Sequence, residues 1–274
     1  MKIVCVGDCG IDHYLPSGTQ RFGGITANFA RHARAEFPAT DEVHVVSCVG
    51  NDAGADIVTS ALAATDIDCH VTTLTGITPM QYIEIEPDGE KRFVRYEEGV
   101  LKDFEFNRQQ RDVIAASALV VAPVYWQIID LYENLLSIET DGTVAIDFAD
   151  FLHHPNFAML EKHIETIDIG FFGLTNEDTV AIEHIASLAA KHDKLFIVTL
   201  GADGSCAFHG ANRFQCAAVP VEKVVDTTGA GDAFAAAFLS RYCYGAGIQA
   251  SLQRGAELAA SVITRLGSHS EQTL

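Results

Sequence analysis

Basic side chains and paired cysteines are scarce in this sequence. It has 18 lysines and arginines against 37 aspartates and glutamates, so its formal net charge at pH 7 is −19. Such a surface repels phosphate backbones, and nucleic acid is therefore not expected as a partner. The seven cysteines form no C-x-x-C pair, which argues against a zinc or dithiol redox site and favours a reducing cytoplasm.

Long apolar runs are absent as well. Only four apolar residues, 3–6, precede Gly7 and Asp8, which is too few for a signal peptide. No later run reaches the roughly 20 residues that a membrane-spanning helix needs. We therefore expect a cytoplasmic protein with no membrane partner. Its 274 residues, 48% hydrophobic and 20% charged, can bury a large core without disulfides or metals.

Short apolar runs alternate with longer segments of helical pattern. The runs, each predicted as a strand buried on both faces, are Ile3–Val6, Val43–Val49, Ala118–Ala122, Val144–Phe148, Ile167–Phe172 and Leu195–Leu200. The segments predicted as helices are Ile25–Phe37, Ala53–Ala64, Ile128–Leu136 and Asp178–Lys191. Alternation of this kind is typical of parallel strands joined by crossover helices. We expect an α/β fold in one domain, residues 1–274, with a doubly wound, mostly parallel sheet covered by helices on both faces and ligands at the strand carboxyl ends.

Two parts of the chain depart from this alternation. Met80–Glu86 and Arg92–Tyr96, joined by a turn at Pro87–Glu90, have the pattern of a β-hairpin with one polar face. Such a hairpin is either a small lid over a site or a decoration on a sheet edge. Near the carboxyl end, Gly229–Leu266 consists mostly of small residues and helix formers, which predicts two closely packed helices.

The strongest chemical signal is the segment Gly229-Ala230-Gly231-Asp232. A predicted strand, Val219–Val225, leads into it, and an alanine-rich predicted helix, Ala233–Tyr242, follows it. Free backbone N–H groups at a helix amino terminus can hold a phosphoryl group, as an anion hole does. A carboxylate at Asp232 can accept the proton of an attacking alcohol beside that hole, which is what a kinase requires. The alternative is a glycine-rich helix start with Asp232 as its N-cap.

A longer string around this segment distinguishes the two alternatives. Residues 225–234 closely resemble D-T-x-G-A-G-D-x-F, the carboxy-terminal signature of the ribokinase (PfkB) family of carbohydrate kinases, at every fixed position. The resemblance implies a ribokinase-like fold and ATP-dependent phosphorylation of a sugar hydroxyl, with Mg²⁺ as cofactor. It implies Asp232 as the base, the amides of Gly229, Ala230 and Gly231 as the anion hole, and Thr228 as a nucleotide contact.

A second region of similarity lies near the amino terminus. Asp12 follows the first predicted strand, just beyond its carboxyl end, where a carboxylate can accept hydrogen bonds from two sugar hydroxyls. The pair Gly23-Gly24 lets a substrate approach the backbone before a predicted helix, although a glycine pair alone is more typical of a turn. In the family, residues that match Asp12, Gly24 and Asn28 hold the sugar.

A third region resembles the nucleotide segment of the family, T-x-G-x-x-G. Thr199, Gly201 and Gly204 occupy its fixed positions. The resemblance implies that the glycines admit the phosphates and the ribose of ATP. As an isolated pattern, the same residues would also be typical of a strand-to-hairpin turn.

The metal motif of the family, N-x-x-E, is incomplete in this chain. Asn176 is kept, which implies a nucleotide contact, but Thr179 stands where the glutamate is expected. Glu177 is the candidate carboxylate for Mg²⁺, through a water molecule, and Asp178 is a second. The resemblance also implies K⁺ held by loop carbonyls near Asp226.

Within the family, the chain looks most like the fructoselysine 6-kinase branch. Only nine residues, His13–Arg21, separate Asp12 from Phe22, which suggests a trimmed amino-terminal lid element, and residues 96–100 are similar to that branch. This implies phosphorylation at O6 of a fructosamine such as fructoselysine, with Glu97 or Glu98 paired with its amine. Lid elements are expected at about 13–22 and 72–98, and their apolar face favours a homodimer through the lid.

Two alternatives stay open at this point. One is a kinase for another ketose, a sugar acid or a nucleoside on the same scaffold. The other, of a different class, is a catalytically silent sensor of a sugar or nucleotide that descends from a kinase. The intact Asp232 and the glycines before it argue against the sensor.

Overall fold

A nine-stranded sheet forms the centre of the fold among the residues that the computed structural model describes, which are 1–15, 17–86, 91–149, 151 and 156–269. The strands are β1 (Lys2–Val6), β2 (Gly10–Leu15), β3 (Thr19–Gly23), β4 (Glu42–Val49), β5 (Asp68–Thr73), β6 (Met80–Ile85), β7 (Lys91–Glu97), β8 (Leu119–Pro123), β9 (Thr143–Phe148), β10 (Ile169–Gly173), β11 (Leu195–Thr199), β12 (Ser205–His209) and β13 (Asn212–Cys216). The helices are α1 (Ile25–Glu36), α2 (Ala53–Ala63), α3 (Arg108–Ala115), α4 (Ile129–Leu136), α5 (Asn156–Lys162), α6 (Thr179–His192), α7 (Ala230–Tyr242) and α8 (Ile248–Val262). The predicted turn at Pro87–Glu90 lies outside the described residues.

The large sheet is mostly parallel. Its strand order is β13-β12-β11-β10-β9-β8-β1-β4-β5, and β12 runs antiparallel to both of its neighbours while every other pair is parallel. All six strands predicted from apolar runs belong to it. The predicted doubly wound α/β fold is therefore confirmed.

Strand β1 shows why helices cover both faces of the sheet. Successive side chains of a strand point to opposite faces. Ile3 and Cys5 pack into one core with buried residues of α1, α7 and α8, whereas Val4 and Val6 pack into another with buried residues of α4 and α6. A strand that is apolar at every position needs such a cover on each side, because either face would otherwise be exposed to water.

A second, four-stranded sheet with the order β3-β2-β6-β7 lies beside the large one and is called the small sheet below. The predicted hairpin is β6–β7. In the interval predicted to be trimmed, β2 and β3 pair as a second hairpin, and the two hairpins join through parallel pairing of β2 with β6. Asp12, which was expected in a loop just after β1, therefore lies within the next strand, β2, opposite Arg21. Residues 72–73, expected in a lid element, belong to β5 of the large sheet.

The chain before α7 also differs from the prediction. Residues 217–229 contain no strand, although Val219–Val225 has a strand pattern. Pro220 has no N–H group to donate to a sheet, and the N–H of Val225 donates to the carbonyl of Ile263 at 2.8 Å, next to the end of α8. The backbone here is thus bonded to the carboxyl-terminal region instead of to the sheet. The two packed helices expected after it, α7 and α8, are present.

Candidate active site

The segment that precedes α7 is shaped by one glycine and one carboxylate. Gly229 has φ 78°, in the left-handed region that favours glycine, and a Cβ at this position would lie 2.1 Å from Ser268 Oγ. The Asp226 carboxylate accepts hydrogen bonds from the N–H groups of Thr228 at 2.8 Å and Gly267 at 2.7 Å, and from the hydroxyl of Tyr14 at 3.1 Å. Asp226 therefore ties the segment to the end of the chain and to the small sheet.

Asp232 lies in the first turn of α7 and is buried. Burial raises the pKa of its carboxyl well above the ordinary value, and the nearby charge of Asp147 raises it further. Lys91 and a hydrogen bond from Asn28 act in the opposite direction. A carboxylate with a raised pKa is a stronger base than an exposed one, which is the property that proton abstraction from an alcohol uses.

One cavity of about 400 Å³ connects the predicted sugar, phosphoryl and nucleotide positions. The predicted site residues that line it are Asp12, Gly24, Asn28, Thr199, Thr228, Gly229, Gly231 and Asp232. The predicted site residues that do not line it are Gly23, Asn176, Glu177, Gly201, Gly204 and Ala230. The structure thus brings predicted site residues from three separate stretches of the chain, 12–28, 199 and 228–232, to one place.

The predicted sugar end of the cavity is acidic and tightly packed. The pKa of Asp12 is raised to about 7, chiefly by burial and also by the charges of Asp8 and Asp226, while the charge of Lys91 opposes them. Gly23 leaves room for the Asp12 side chain, because a Cβ at position 23 would lie 2.3 Å from the Asp12 carboxyl carbon. Asn28 Oδ1 is buried and accepts no hydrogen bond from the described residues, so it is available to a substrate hydroxyl.

Asp8 is a cavity residue that the sequence reasoning did not assign. Its carboxylate accepts hydrogen bonds from the N–H groups of Ile25 at 3.0 Å and Thr26 at 3.2 Å, at the amino terminus of α1. Burial nevertheless raises its pKa. The sequence shows only that an aspartate follows β1 and that a helix begins 17 residues later. The fold decides that the two come into contact.

The predicted nucleotide end of the cavity is less complete. Thr199 lines it at the end of β11, whereas Gly201 and Gly204 shape the following turn with φ 56° and 94°. Asn176 and Glu177 are exposed on the loop between β10 and α6. The contacts predicted for these residues with ATP and Mg²⁺ stay predictions.

The expected pairing of Glu97 with a substrate amine stays a prediction, and this geometry does not favour it. The Glu97 carboxylate accepts a hydrogen bond from the Tyr82 hydroxyl at 3.2 Å and forms an ion pair with Arg95 at 3.0 Å, and it does not line the cavity. Its neighbour Tyr96 does line it, and the hydroxyls of Tyr96 and Tyr125 are 2.9 Å apart. Alternation along β7 places adjacent side chains on opposite faces. Glu98 is not among the lining residues either.

Comparison with known proteins identifies the family of this chain. Residues 2–273 match the model of the pfkB family of carbohydrate kinases. The chain belongs to this family. A fructoselysine 6-kinase of Escherichia coli is 28% identical over 267 residues, 97% of this chain and 98% of that protein. A fructosamine kinase of Bacillus subtilis is 26% identical over 265 residues, 95% of this chain and 90% of that protein. A 2-dehydro-3-deoxygluconokinase of Escherichia coli is 26% identical over 299 residues, 97% of this chain and 96% of that protein.

Solved structures of kinases share the fold. The adenosine kinase of Sinorhizobium meliloti has a TM-score of 0.83 at 22% identity and covers 98% of this chain and 95% of its own. Arabidopsis thaliana ribokinase, solved with ribose and ATP, has a TM-score of 0.77 at 22% identity and covers 97% and 93%. With the family match, the protein is an ATP-dependent sugar kinase of the ribokinase type.

Kinases of this family use ATP with Mg²⁺, and the acidic residues of this pfkB kinase fit that ion in part. Asp147 and Asp232 line the cavity, and carboxylate oxygens are ligands that Mg²⁺ takes together with phosphate oxygens and water. No group of three or more histidine, cysteine or acidic side chains able to hold a metal occurs among the described residues. The Asp178 carboxylate is already used locally, since it accepts hydrogen bonds from the N–H and hydroxyl groups of Thr175 at 2.8 and 2.7 Å.

No helix in the described part of this kinase is long and apolar enough to cross a membrane.

Proposed function

We propose that this kinase phosphorylates O6 of a fructosamine such as fructoselysine, with Asp232 as the base. The observation that carries the substrate class is the charge of the cavity. Asp8, Asp12, Asp147 and Asp232 line it, and among the described lining residues Lys91 is the only basic side chain. A fructosamine brings an ammonium group, which this field attracts, whereas a sugar acid brings a carboxylate, which it repels.

The curated relatives include kinases that are named for the proposed substrate class. Relatives named for fructoselysine and for fructosamines match the chain over nearly its full length. A relative named for a sugar acid matches at comparable identity, so similarity alone does not choose between the two substrates. The surplus of carboxylates in the cavity favours the fructosamine.

In the proposed reaction, Asp12 and Asn28 hold sugar hydroxyls and leave O6 beside Asp232. Asp232 accepts the O6 proton as O6 attacks the γ-phosphorus of ATP. A P–O6 bond forms, the bond between the γ-phosphorus and the bridging oxygen breaks, and ADP leaves. The N–H groups of Gly229, Ala230 and Gly231 at the start of α7 stabilise the charge of the phosphoryl group in transit. Mg²⁺ bound to ATP would offset the charge of the phosphates.

The small sheet is proposed to act as the lid of this site. Gln81 and Lys91 project from it into the cavity wall, and Tyr14 of β2 donates a hydrogen bond to Asp226 below it. A cover that excludes water suits phosphoryl transfer, because water competes with the sugar for the phosphoryl group.

A substrate panel tests the proposal, with purified protein, Mg²⁺–ATP and a coupled ADP assay. The panel holds fructoselysine, fructose, ribose, adenosine and 2-dehydro-3-deoxygluconate. The matched pair is 1-amino-1-deoxyfructose against fructose, which differ in the ammonium group. We expect kcat/KM at least about tenfold higher for the amine of this pair, since one tenfold step needs only about 1.4 kcal/mol of added attraction. NMR of the product should place the phosphate on C6.

Each alternative has its own outcome in this assay. A higher kcat/KM for 2-dehydro-3-deoxygluconate, ribose or adenosine would replace the fructosamine by that substrate class. Binding of a sugar by calorimetry without any turnover would favour the silent sensor. Equal turnover of fructose and its amine would remove the electrostatic argument.

Potassium and dimer formation stay proposals. Both oxygens of the Asp226 carboxylate already accept hydrogen bonds, so a K⁺ site here would draw most of its oxygens from backbone carbonyls. For the homodimer, the outermost strand β7 of the small sheet exposes Phe93 and Val94, which are 51% and 43% exposed. Light scattering with and without substitution of these two residues, and kcat measured in KCl against a non-activating salt, would test the two proposals. The cytoplasmic location also stays a prediction.

A further inference from the structure

Lys91 is a basic residue of the lid that reaches the anion-hole segment. It is the first residue of β7 and lines the cavity. Its ammonium nitrogen lies 3.5 Å from the carbonyl oxygen of Thr227, and its backbone N–H donates to the Thr227 hydroxyl at 3.4 Å. The side chain also lies over the ring of Phe93, with 5.1 Å between Nζ and the ring centroid. Lys91 is therefore held two residues from Gly229, where the proposed anion hole begins.

The charge of Lys91 is not neutralised by an ion pair with any described residue. None of the ion pairs between described residues includes it, and its contact with the Thr227 carbonyl is long for a hydrogen bond. Asp12 and Asp232 both feel its charge, which lowers their pKa values against the effect of burial. An ammonium group on a half-buried side chain that lines the cavity together with both of these carboxylates is positioned to attract an anion.

The cavity needs such a cation for phosphoryl transfer. Four carboxylates line it, and the phosphates of ATP would add several negative charges. A proposed anion hole of backbone N–H groups carries only partial charges. Mg²⁺ offsets charge on ATP itself, but the phosphoryl group in transit gains from a full positive charge at its equatorial oxygens.

We infer that Lys91 is a catalytic residue whose ammonium group contacts the phosphoryl group in transit when the lid lies over the cavity. This inference rests on the proposed reaction, with Asp232 as base. It also gives the lid a chemical role. Since Lys91 reaches the anion hole only while β7 packs on the Thr227 segment, the cation is supplied together with the exclusion of water. A site without its cover would admit water but would lack the Lys91 cation, so transfer of the phosphoryl group to water would be slow.

The test compares Lys91→Met with Arg92→Met and Lys91→Arg. Methionine keeps an unbranched side chain over Phe93 but removes the charge. Arg92, the next residue, pairs with Glu84 and Glu86 and is mostly exposed, so it is the matched control on the opposite face of the strand. We expect Lys91→Met to lower kcat about 10²-fold with less than about threefold change in either KM, Lys91→Arg to recover part of that loss, and Arg92→Met to stay within about twofold of wild type.

A binding measurement separates this role from a structural one. Calorimetry with ADP and aluminium fluoride in the presence of the sugar mimics the phosphoryl group in transit. Lys91→Met should weaken binding of this mimic about 10²-fold and leave ADP alone nearly unchanged. Circular dichroism melts of all variants check the fold, and if Lys91→Met does not fold, Lys91→Gln takes its place.

The outcomes also separate this inference from the proposed function. If the wild-type protein phosphorylates no sugar, the proposed function fails, and binding of ADP with aluminium fluoride still decides the role of Lys91. If a sugar is phosphorylated but Lys91→Met keeps kcat within threefold, or binds the mimic as wild type does, the inference is wrong. An equal loss in Arg92→Met would likewise overturn it, because the effect would then come from the strand and not from the cation.

Discussion

Replacement of Asp12 by asparagine should stabilise this kinase and weaken its substrate binding, with both effects depending on pH. Burial raises the pKa of Asp12 from 3.8 to about 7. Asparagine has nearly the same shape but no charge, so it removes the free-energy cost of a buried carboxylate. A residue kept despite such a cost is expected to be needed for function.

The sign of the stability effect follows from proton linkage. Below pH 3.8 the carboxyl is protonated in both the folded and the unfolded state, and the substitution should change little. Between pH 3.8 and about 7 the unfolded state releases its proton first, so wild-type stability falls relative to the variant as pH rises. Above pH 7 the difference should level off at about 4 kcal/mol, at 1.36 kcal/mol for each unit of pKa shift.

Substrate binding should change in the opposite direction. Sugar hydroxyls donate to the ionised form of Asp12, so the wild-type KM for the sugar should fall about tenfold per pH unit as pH rises toward 7 and then become constant. Loss of hydrogen bonds to a charged group costs about 1.5–3 kcal/mol, which is roughly a 10- to 150-fold higher KM in Asp12→Asn above pH 7. The variant should show no such pH dependence from this residue.

Urea unfolding at pH 5, 6, 7 and 8, with the sugar KM at the same pH values, measures both effects. Asp66→Asn is the matched control, because it makes the same chemical change at an exposed position. The difference between wild type and Asp12→Asn isolates this carboxyl from the other buried acids. A stability difference that does not change with pH, or a variant less stable than wild type at pH 8, would refute the reasoning.

Three further predictions concern the proposed active site. Asp232→Asn should lower kcat about 10²- to 10⁴-fold with little change in KM, and an unchanged kcat would exclude Asp232 as the base. Gly229→Ala should lower the melting temperature and kcat together, because φ is 78° and the added Cβ would lie 2.1 Å from Ser268 Oγ. In the control Gly231→Ala, the added Cβ meets no atom within 4 Å, so this variant should have the melting temperature of the wild type. Glu97→Gln should leave kcat/KM for a fructosamine within about twofold, since its carboxylate bonds to Tyr82 and Arg95; a tenfold loss would restore the amine-binding role.

The elements of the large sheet were largely predictable because their patterns are local. The six strands that were predicted are short, mostly apolar runs, and the crossover helices have their own period. Val219–Val225 also has a strand pattern but forms no strand, because Pro220 has no N–H to donate to a sheet and the N–H of Val225 bonds to Ile263 near the end of α8. A pattern of side chains indicates which conformation a segment prefers, but a distant partner decides whether that segment joins a sheet.

The small sheet shows the same limit for side-chain direction. The hairpin β6–β7 was predicted, yet its register shifts between Tyr82 and Ile83, and Glu97 points away from the cavity while Tyr96 lines it. A difference of one residue moves a side chain to the other face of a strand. A prediction of which of two neighbouring residues contacts the substrate therefore fails more easily in a strand than in a turn.

What the sequence determined by itself is the chemistry that lies within one short stretch. The N–H of Thr228 bonds to Asp226 within this stretch and Asp232 follows in the first turn of α7, so these residue types in this order already indicate the phosphoryl site. Only the tertiary structure decided what faces that turn. Lys91, Asp8 and Asp147 reach the same cavity from separate strands and loops. Their charges act across space, and the distances between them follow from packing of the whole fold, which no local pattern contains.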